Sequence, residues 1–213
     1  MDIQVWSDVV CPWCYLGKKR LEKAVAQFGG DVTVTFRAYQ LDPAPVPRPL
    51  PIKQAMAAKV GDLRQAEQMF AHVTAVAAGD GLRLDFDRAL AANTFDSHRL
   101  IVWATRQGRQ ADMLDALQRA HFADGVDVGS RSVLAGVARS IGLDPAAAWA
   151  YLDSEAGTGA VRADIAEAAE LGITSVPTFV IDGRFAVQGA QETSTLLAAL
   201  QEIARREAVD AGR

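Results

Sequence analysis

The segments of this chain with strand character lie near its two ends, and a long stretch of helical sequence separates them. At the N-terminal end, residues 3–6 and 31–36 are rich in β-branched and other apolar side chains, and the second run alternates apolar and polar residues. Between them, residues 15–28 place apolar side chains three or four positions apart, which predicts an amphipathic helix. The first part of the chain is therefore predicted to fold as β-α-β.

The C-terminal end carries strand signals in a different order. Residues 178–181 form an apolar run, Asp182-Gly183 is a typical hairpin turn, and residues 184–188 form the partner run. Residues 192–206 then have the period of a helix. Because neither end can bury both faces of its strands alone, we expect the two ends to close into one sheet. The predicted fold class is α/β, with a central mixed sheet and flanking helices.

The middle of the chain has a different composition. Residues 42–51 contain five of the eight prolines, which predicts a stiff, extended linker. Residues 52–171 are rich in Ala, Leu, Arg and Gln and predict six or seven helices. With 213 residues and 50% hydrophobic content, the chain suits one large domain with an insertion. We predict an α/β domain made of residues 1–45 and 172–213, interrupted by an all-helical insertion at 46–171.

Charge and hydropathy exclude several classes of function. The formal net charge of −4 gives no basic footprint for nucleic acid. No stretch approaches the roughly 20 consecutive apolar residues that a membrane span needs. The start Met1-Asp2-Ile3-Gln4 lacks the basic residues and apolar run of a secretory signal. We therefore expect a cytoplasmic protein with no nucleic-acid and no membrane partner.

The two cysteines of the chain both stand in the tetrapeptide Cys11-Pro12-Trp13-Cys14, between the first strand and its helix. A cysteine at the start of a helix gains free backbone N–H donors and the positive end of the helix dipole, which favour its thiolate. Pro12 fits the first helical turn, where its missing N–H would have no helical partner. We assign Cys11 as the nucleophile that forms a mixed disulfide, and Cys14 as the thiol that resolves it.

Two other interpretations of the cysteine pair are weaker. A structural zinc site needs four ligands, and the chain adds only the scattered His72, His98 and His121, so no metal is expected. Two inert cysteines packed as small apolar side chains are the second alternative. Asp8 leaves two roles open, because its carboxylate would either cap the helix or oppose the charge of the thiolate.

A second candidate feature is the pair Val176-Pro177, directly before the strand run at 178–181. The proline either begins an edge strand or follows a cis peptide bond. A cis bond would leave the N–H and C=O of Val176 free of the sheet ladder. They would then be available to pair with an extended peptide or with glutathione.

The cysteine pair, the Val176-Pro177 segment and the order of elements together resemble the thioredoxin superfamily, and the helical insertion resembles its DsbA branch. The FrnE-like cytoplasmic oxidoreductases of that branch are similar to this chain in four segments. These are SDVVCPWCYLG at 7–17, NTFDSHRL at 93–100, GITSVPTF at 172–179 and VQGAQ at 187–191. This subgroup is similar to 2-hydroxychromene-2-carboxylate isomerases and kappa-class glutathione transferases. The resemblance spans nearly the whole chain and implies a thioredoxin-like fold.

The resemblance also implies roles for individual residues. Cys11 matches the catalytic nucleophile and Cys14 the resolving thiol, and Val176-Pro177 matches the cis-proline loop beside them. Gly189-Ala190-Gln191 matches the turn with which glutathione-binding relatives hold the γ-glutamyl end; for Gly189, a simple strand terminator is the alternative. The isomerase and kappa-transferase relatives commonly carry serine where Cys11 stands. A cysteine there favours disulfide chemistry.

Three further positions carry expectations. Trp13, between the cysteines, is predicted to be exposed and to contact an unfolded substrate or a glutathione adduct. His98 either faces the active-site groove or packs as a satisfied core histidine. Lys18-Lys19-Arg20 is predicted to form a solvated face of the first helix.

The sequence therefore predicts a cytoplasmic thiol–disulfide oxidoreductase or disulfide isomerase, acting on thiol or disulfide substrates as a monomer or a homodimer. No tightly bound cofactor is expected, and glutathione is the candidate co-substrate. One alternative is a glutathione-dependent isomerase or transferase for a small aromatic substrate. The other is a non-enzymatic peptide-binding module that uses Trp13 and the loop at Pro177.

Overall fold

A computed structural model describes residues 1–46 and 48–211. Within them, four strands form one sheet in the order β2-β1-β3-β4. The strands are β1 (Asp2–Ser7), β2 (Thr33–Ala38), β3 (Thr178–Ile181) and β4 (Phe185–Gln188). β1 pairs parallel with β2 and antiparallel with β3, and β3 pairs antiparallel with β4. The sheet is therefore mixed and joins the two ends of the chain, as the sequence predicted.

Helices cover the sheet and fill the middle of the chain. They are α1 (Pro12–Phe28), α2 (Ile52–Val60), α3 (Leu63–Gly79), α4 (Phe95–Thr105), α5 (Gln110–Arg119), α6 (Arg131–Ser140), α7 (Pro145–Asp153), α8 (Thr158–Glu170) and α9 (Thr193–Ala211). A π-helical turn, Ala120–Asp124, continues α5. The helices α2 to α8 follow β2 and precede β3, in line with the six or seven helices predicted there. The division into two domains stays a prediction, and Pro47 of the linker, Gly212 and Arg213 lie outside the described residues.

The boundaries differ from the predicted ones where capping or pairing overrides the apolar pattern. α1 begins at Pro12 instead of residue 15, because Cys11 is its N-cap and proline suits the first helical position. Gly29 ends the helix with a left-handed φ of 70°, so the helix stops after Phe28, the last residue of the predicted segment. β2 begins at Thr33, whose N–H donates to the carbonyl of Met1, so its register starts two residues later than the sequence pattern suggested.

The two faces of the sheet are buried against different helices. Ile3 and Val5 of β1 belong to the largest buried apolar cluster, together with side chains from α1, α9 and the helices α4 to α7. Trp6 points to the opposite face, where it packs with Ala168 of α8 and Ile173. Its indole N–H donates to the carbonyl of Asp164 at 3.1 Å, which satisfies the one polar atom of that side chain. The sheet is thus fixed from both sides, and the end of β1 leads directly to the cysteine pair.

A second apolar cluster lies over the start of α1. It joins Phe70 and Val73 of α3 to Phe86, Tyr15 and Phe122. Phe70 and Phe86 stack with their ring centroids 4.2 Å apart, and Tyr15 stacks on Phe122 at 6.0 Å. The middle helices therefore reach the cysteine-bearing end of α1. As for membrane spans, no helix in residues 1–46 and 48–211 is both long enough and apolar enough to form one.

Candidate active site

Cys11 and Cys14 lie at the start of α1, and both are free thiols in this structure. Cys11 is the N-cap residue, with extended backbone angles, and its Sγ accepts the backbone N–H of Cys14 at 3.3 Å. Cys11 is 4% exposed and Cys14 is 1% exposed. The first sulfur is therefore the more accessible one, and it sits at the end of α1 where the helix dipole favours negative charge.

Cys14 is surrounded by groups that keep it protonated. Burial raises the pKa of the Cys14 thiol well above its ordinary value, and the neighbouring Cys11 raises it further. The backbone of Asp8 acts in the opposite direction, but the charge of its carboxylate adds to the rise of the Cys14 pKa. The surroundings of the two sulfurs therefore differ: Cys11 lies at the helix end that favours negative charge, whereas the Cys14 thiol is kept protonated.

The loop at Val176-Pro177 lies against the first sulfur. The Val176–Pro177 peptide bond is cis. The Cys11 thiol donates to the carbonyl of Val176 at 3.8 Å, and Pro177 itself is buried. Because β3 lies between β1 and β4, the proline does not begin an edge strand, so that alternative is wrong. A backbone acceptor of residue 176 thus stands within reach of the candidate nucleophile.

Asp8 is a buried carboxylate directly behind the cysteine pair. Its backbone carbonyl accepts the N–H of Cys11 at 3.2 Å, and its Oδ2 accepts the N–H of Leu41 at 2.8 Å. Oδ1 has no hydrogen-bond partner within the described part of the chain, although Nε2 of His98 lies 3.4 Å away. The Asp8 side chain does not cap α1, because Cys11 does. Of the two roles left open by the sequence, the electrostatic one is the one the geometry allows.

His98 lies on α4 and is buried, at 3% exposure. Its Nε2 lies 3.0 Å from the carbonyl of Tyr39, which can only accept, so this nitrogen carries the proton. The same nitrogen lies 3.4 Å from Asp8 Oδ1, without a hydrogen bond to it. Burial with a backbone partner favours the packing interpretation of His98, with Asp8 as its polar neighbour.

Trp13 is half-buried, whereas the sequence predicted an exposed side chain. It packs against the second apolar cluster, and its ring centroid lies 5.8 Å from that of His72 on α3. The difference arises because α3, some sixty residues later, covers the start of α1. Trp13 nevertheless keeps part of its surface exposed.

The turn Gly189-Ala190-Gln191 lies between β4 and α9 and next to the proline loop. The N–H of Gly189 donates to the carbonyl of Pro177 at 2.8 Å, and the φ of this glycine is +77°. The carbonyl of Ala190 accepts a hydrogen bond from Arg20 of α1 at 2.9 Å. The predicted turn, the proline loop and α1 are therefore brought together, close to the N-terminal end of a long helix.

Two residues predicted to be solvated are buried. Lys18 contacts Glu22 and Asp115, and Arg20 contacts Asp80 as well as the turn at Ala190. The prediction was wrong because it assigned three consecutive basic residues to one solvated helix face. The spacing held the signal, since position 20 lies four residues from both of the buried residues Leu16 and Ala24.

Sequence analysis also missed two buried polar side chains on the helix facing α1. Gln118 of α5 and His121 of the π-helical turn are both fully buried. They follow Leu114 at spacings of four and seven, which is the period of a buried helix face. Polar residues at positions where this period predicts apolar ones were the sequence signal for buried polar side chains. Among the described residues, no group of three or more His, Cys, Asp or Glu is placed to hold a metal ion.

Comparisons with known proteins give the same picture of the fold and the family. Residues 2–201 match the DSBA-like thioredoxin domain. The crystal structure of a probable DsbA oxidoreductase from Streptomyces coelicolor is similar, with a TM-score of 0.89 and 38% identity over 95% of this chain and 89% of that chain. A 2-hydroxychromene-2-carboxylate isomerase has a TM-score of 0.73 and 19% identity over 98% of both chains. The cytosolic disulfide reductase DsbM of Pseudomonas aeruginosa with GSH has a TM-score of 0.68 and 22% identity, over 96% of this chain and 100% of that chain. At these lower identities, the last two are similar in fold.

Proposed function

This chain belongs to the DSBA-like thioredoxin domain family, and on that premise we propose that it is a cytoplasmic thiol–disulfide oxidoreductase or disulfide isomerase. Cys11 and Cys14 are the proposed redox pair. The observation that carries the proposal is the Cys14 N–H bonded to Cys11 Sγ at 3.3 Å, at the first turn of α1. The cytoplasmic setting is supported by the fold likeness to DsbM, which is described as cytosolic.

The first proposed step is attack by the Cys11 thiolate on a substrate disulfide. A bond forms between Cys11 Sγ and one substrate sulfur, the substrate S–S bond breaks, and the other substrate sulfur leaves with the electron pair. The helix end and the Cys14 N–H stabilise the negative charge on Cys11 before the attack. The carbonyl of Val176 lies 3.8 Å from the same sulfur, and we expect it to accept a hydrogen bond from an extended substrate backbone.

The second proposed step releases the reduced substrate. Cys14 gives its proton to Asp8, attacks Cys11 Sγ, and forms the Cys11–Cys14 disulfide as the second substrate thiol leaves. Asp8 suits the role because it is buried beside the pair and one of its oxygens has no hydrogen-bond partner in the described chain. In the isomerase mode, a cysteine of the substrate makes this second attack instead, and Cys14 stays a thiol.

Reduction of insulin by dithiothreitol tests the proposal. We expect the wild-type protein to accelerate precipitation of the reduced insulin chain, and Cys11→Ser to give the uncatalysed rate. Cys14→Ser is the matched variant, because it retains the first thiol and lacks only the resolving one. It should accumulate a mixed disulfide with the substrate that a mass measurement detects. Equal rates for wild type and Cys11→Ser would contradict the proposed function.

A second candidate function is a glutathione-dependent isomerisation or transfer on a small aromatic substrate. It is supported by the fold likeness to 2-hydroxychromene-2-carboxylate isomerase and by the turn at Gly189, whose N–H bonds the Pro177 carbonyl close to the cysteines. In this function Cys11 would steady a glutathione thiolate, and Cys14 would not be needed. Turnover that survives in Cys14→Ser, with saturable glutathione binding, would favour this candidate over disulfide cycling.

A further inference from the structure

His121 is a buried histidine with no partner. It is 0% exposed, and neither ring nitrogen has a hydrogen-bond partner within the described residues. Its ring packs edge-on against Phe122, at a centroid distance of 4.5 Å. Burial lowers the pKa of His121 to about 4, so the ring is neutral at neutral pH. A neutral imidazole keeps one N–H donor and one nitrogen acceptor, and here both are unused.

Such a group is unfavourable unless it has a function or a bound water. Leaving a polar atom buried without a hydrogen bond costs about 1–3 kcal/mol, and a phenylalanine would fill the same space without that cost. The ring also stands on a π-helical turn, an element that often occurs at functional sites.

The turn that carries His121 and the helix before it pack against α1 near the cysteine pair, where Tyr15 meets Phe122 and Lys18 meets Asp115. Gln118 lies three residues earlier on the same helix face, and both atoms of its buried amide lack partners in the described chain. Tyr15 stacks on Phe122 at 6.0 Å, so the residues that directly follow Cys14 and His121 are in contact. The negative charge of Asp8 acts on both Cys14 and His121, and Asp8 Oδ1 is unpartnered as well.

We propose that Asp8, His121 and Gln118 bind an internal water that stabilises the proton taken from Cys14, with His121 as a positioning residue for Asp8. The proposal rests on the disulfide chemistry argued above and deepens it. A buried water typically makes about three hydrogen bonds to polar groups that have no other partner. Three groups are available here: a carboxylate oxygen, an imidazole with one donor and one acceptor, and an amide. Together they offer the water both hydrogen-bond donors and hydrogen-bond acceptors.

The proposed site acts at the second step. As the Cys14 thiolate forms and attacks Cys11 Sγ, its proton moves to the Asp8 carboxylate. The new carboxyl O–H donates to the water, and the water donates to the acceptor nitrogen of the neutral His121 ring. The Cys11–substrate bond breaks, and the leaving thiolate takes a proton from solvent or, in the reverse sense, from Asp8. No further oxidant is required, because the substrate disulfide receives the electron pair.

Several elements near this turn carry titratable or charged groups. They include Asp8 after β1, Cys14, Tyr15, Lys18 and Lys19 on α1, His98 on α4, Asp85 and Arg88 in the segment before α4, Asp112, Asp115 and Arg119 on α5, and Asp124 in the turn itself. Of these, only Asp8 acts on the pKa of His121, which its negative charge raises against the larger lowering by burial. A change in the pH profile on altering His121 would therefore report on Asp8 and Cys14.

A two-phase reaction with dithiobis(nitrobenzoate) tests the proposal on the full chain. The first coloured thiolate is released when Cys11 attacks the reagent, and the second when Cys14 resolves the mixed disulfide. We expect His121→Phe to leave the rate of the first phase unchanged and to slow the second phase by about tenfold or more. The reason is that Asp8 accepts the Cys14 proton less readily when the bound water is lost. The pH dependence of the second phase should shift to higher pH, because a less stabilised proton on the acceptor makes the Cys14 thiol harder to deprotonate.

Matched variants keep the outcome decisive. His121→Gln, which keeps a donor and an acceptor, should restore most of the second phase. Tyr151→Phe also removes a buried hydroxyl that has no partner in the described chain, but on α7, and should change neither phase. Equal rates of the second phase in wild type and His121→Phe would overturn the proposed water site but not the proposed function. A wild type without a second phase would overturn the proposed function. If His121→Phe does not fold, two other measurements replace it. Gln118→Met is tested in the same two-phase reaction, and NMR measures magnetisation transfer from water to the His121 ring in the wild type. A normal second phase together with no such transfer would overturn the proposal.

Discussion

The β-carbon that Gly17 lacks would lie 2.8 Å from Cγ of Pro177. It would also lie 3.3 Å from Cζ of Phe179, on the strand that follows the proline. Real β-carbons essentially never approach another heavy atom below 3 Å, and the proline ring has little freedom to move. The absence of a side chain at position 17 therefore allows α1 to lie against the loop that holds Val176 beside Cys11.

Gly17→Ala should destabilise the protein and displace the proline loop. Alanine ordinarily favours a helix interior by up to about 1 kcal/mol over glycine, but overpacking costs typically 1–3 kcal/mol, so we expect a net loss of roughly 1–2 kcal/mol. Chemical denaturation measures that loss, and the insulin assay should show a lower rate because Val176 moves with Pro177.

Gly136→Ala is the matched control, because Gly136 also lies inside a helix and nothing lies within 4 Å of its missing β-carbon. It should stabilise the protein by about 0.5–1 kcal/mol and leave the rate unchanged. A stabilising effect of the same size at position 17 would contradict the close packing described here.

Arg20→Gln should loosen the turn at Ala190. The guanidinium of Arg20 joins three parts of the chain, since it donates to Asp80 at 2.8 Å, to the Ala190 carbonyl at 2.9 Å and contacts Glu192 at 2.9 Å. Its loss leaves the part-buried carbonyl of Ala190 and the Asp80 carboxylate without this donor, and we expect about 1–3 kcal/mol of destabilisation. Hydrogen exchange followed by mass spectrometry should show faster exchange in the 189–192 turn.

Lys23→Gln controls for the loss of charge near Asp80. Lys23 contacts the same carboxylate at 2.8 Å but is exposed and does not reach the turn. An exposed ion pair contributes about 0–1 kcal/mol, so stability and exchange in the turn should barely change. If both variants accelerate exchange equally, Arg20 does not hold the turn.

The sequence was sufficient for the fold because the informative signals were local. The alternation in β2, the hairpin turn at Asp182 and the glycine after α1 each follow from a few neighbouring residues, and the structure has all three. What sequence reasoning missed depends on distant packing. The burial of Trp13 requires α3, and the burial of Arg20 requires Asp80 and a turn some 170 residues away.

The polar interior behind the cysteines was harder to predict for a related reason. Asp8 comes before α1, so its position fits a helix cap equally well, and only the N–H of Leu41 and the ring of His98 show which way its carboxylate turns. In the sequence, His121 fits the pattern of an ordinary amphipathic helix. Its position in the structure depends on the π-helical turn, which that pattern does not predict. Buried polar residues at apolar positions of a helix pattern are therefore the feature to look for in such chains.

Arg99→Lys should destabilise the packing of α4 against α7. The buried guanidinium of Arg99 donates to the backbone carbonyls of Tyr151, Leu152, Ser154 and Ala156 and to the carboxylate of Asp96. Lysine keeps the charge but has no planar fork, so most of the carbonyls at the end of α7 lose their donor. We expect a loss of about 2–4 kcal/mol in chemical denaturation.

Arg109→Lys is the corresponding control for Arg99. Arg109 forms an exposed ion pair with Asp112 three residues along the same segment. This change should stay within about 0.5 kcal/mol of wild type. A small effect at both positions would mean that the carbonyls at the end of α7 do not depend on Arg99.

His121 should make the stability of the protein depend on pH between about 6.5 and 4. Burial lowers the pKa of His121 from 6.5 to about 4, so the unfolded chain binds a proton in that window and the folded chain does not. Protonation therefore favours the unfolded state as the pH falls, and the free energy of unfolding decreases by up to about 3 kcal/mol from this residue alone.

Chemical denaturation at several pH values measures the decrease, and the difference in stability between wild type and His121→Phe should shift by that amount from pH 7 to about pH 4. A difference between wild type and His121→Phe that is constant across the window would mean that His121 is not held neutral in the folded protein.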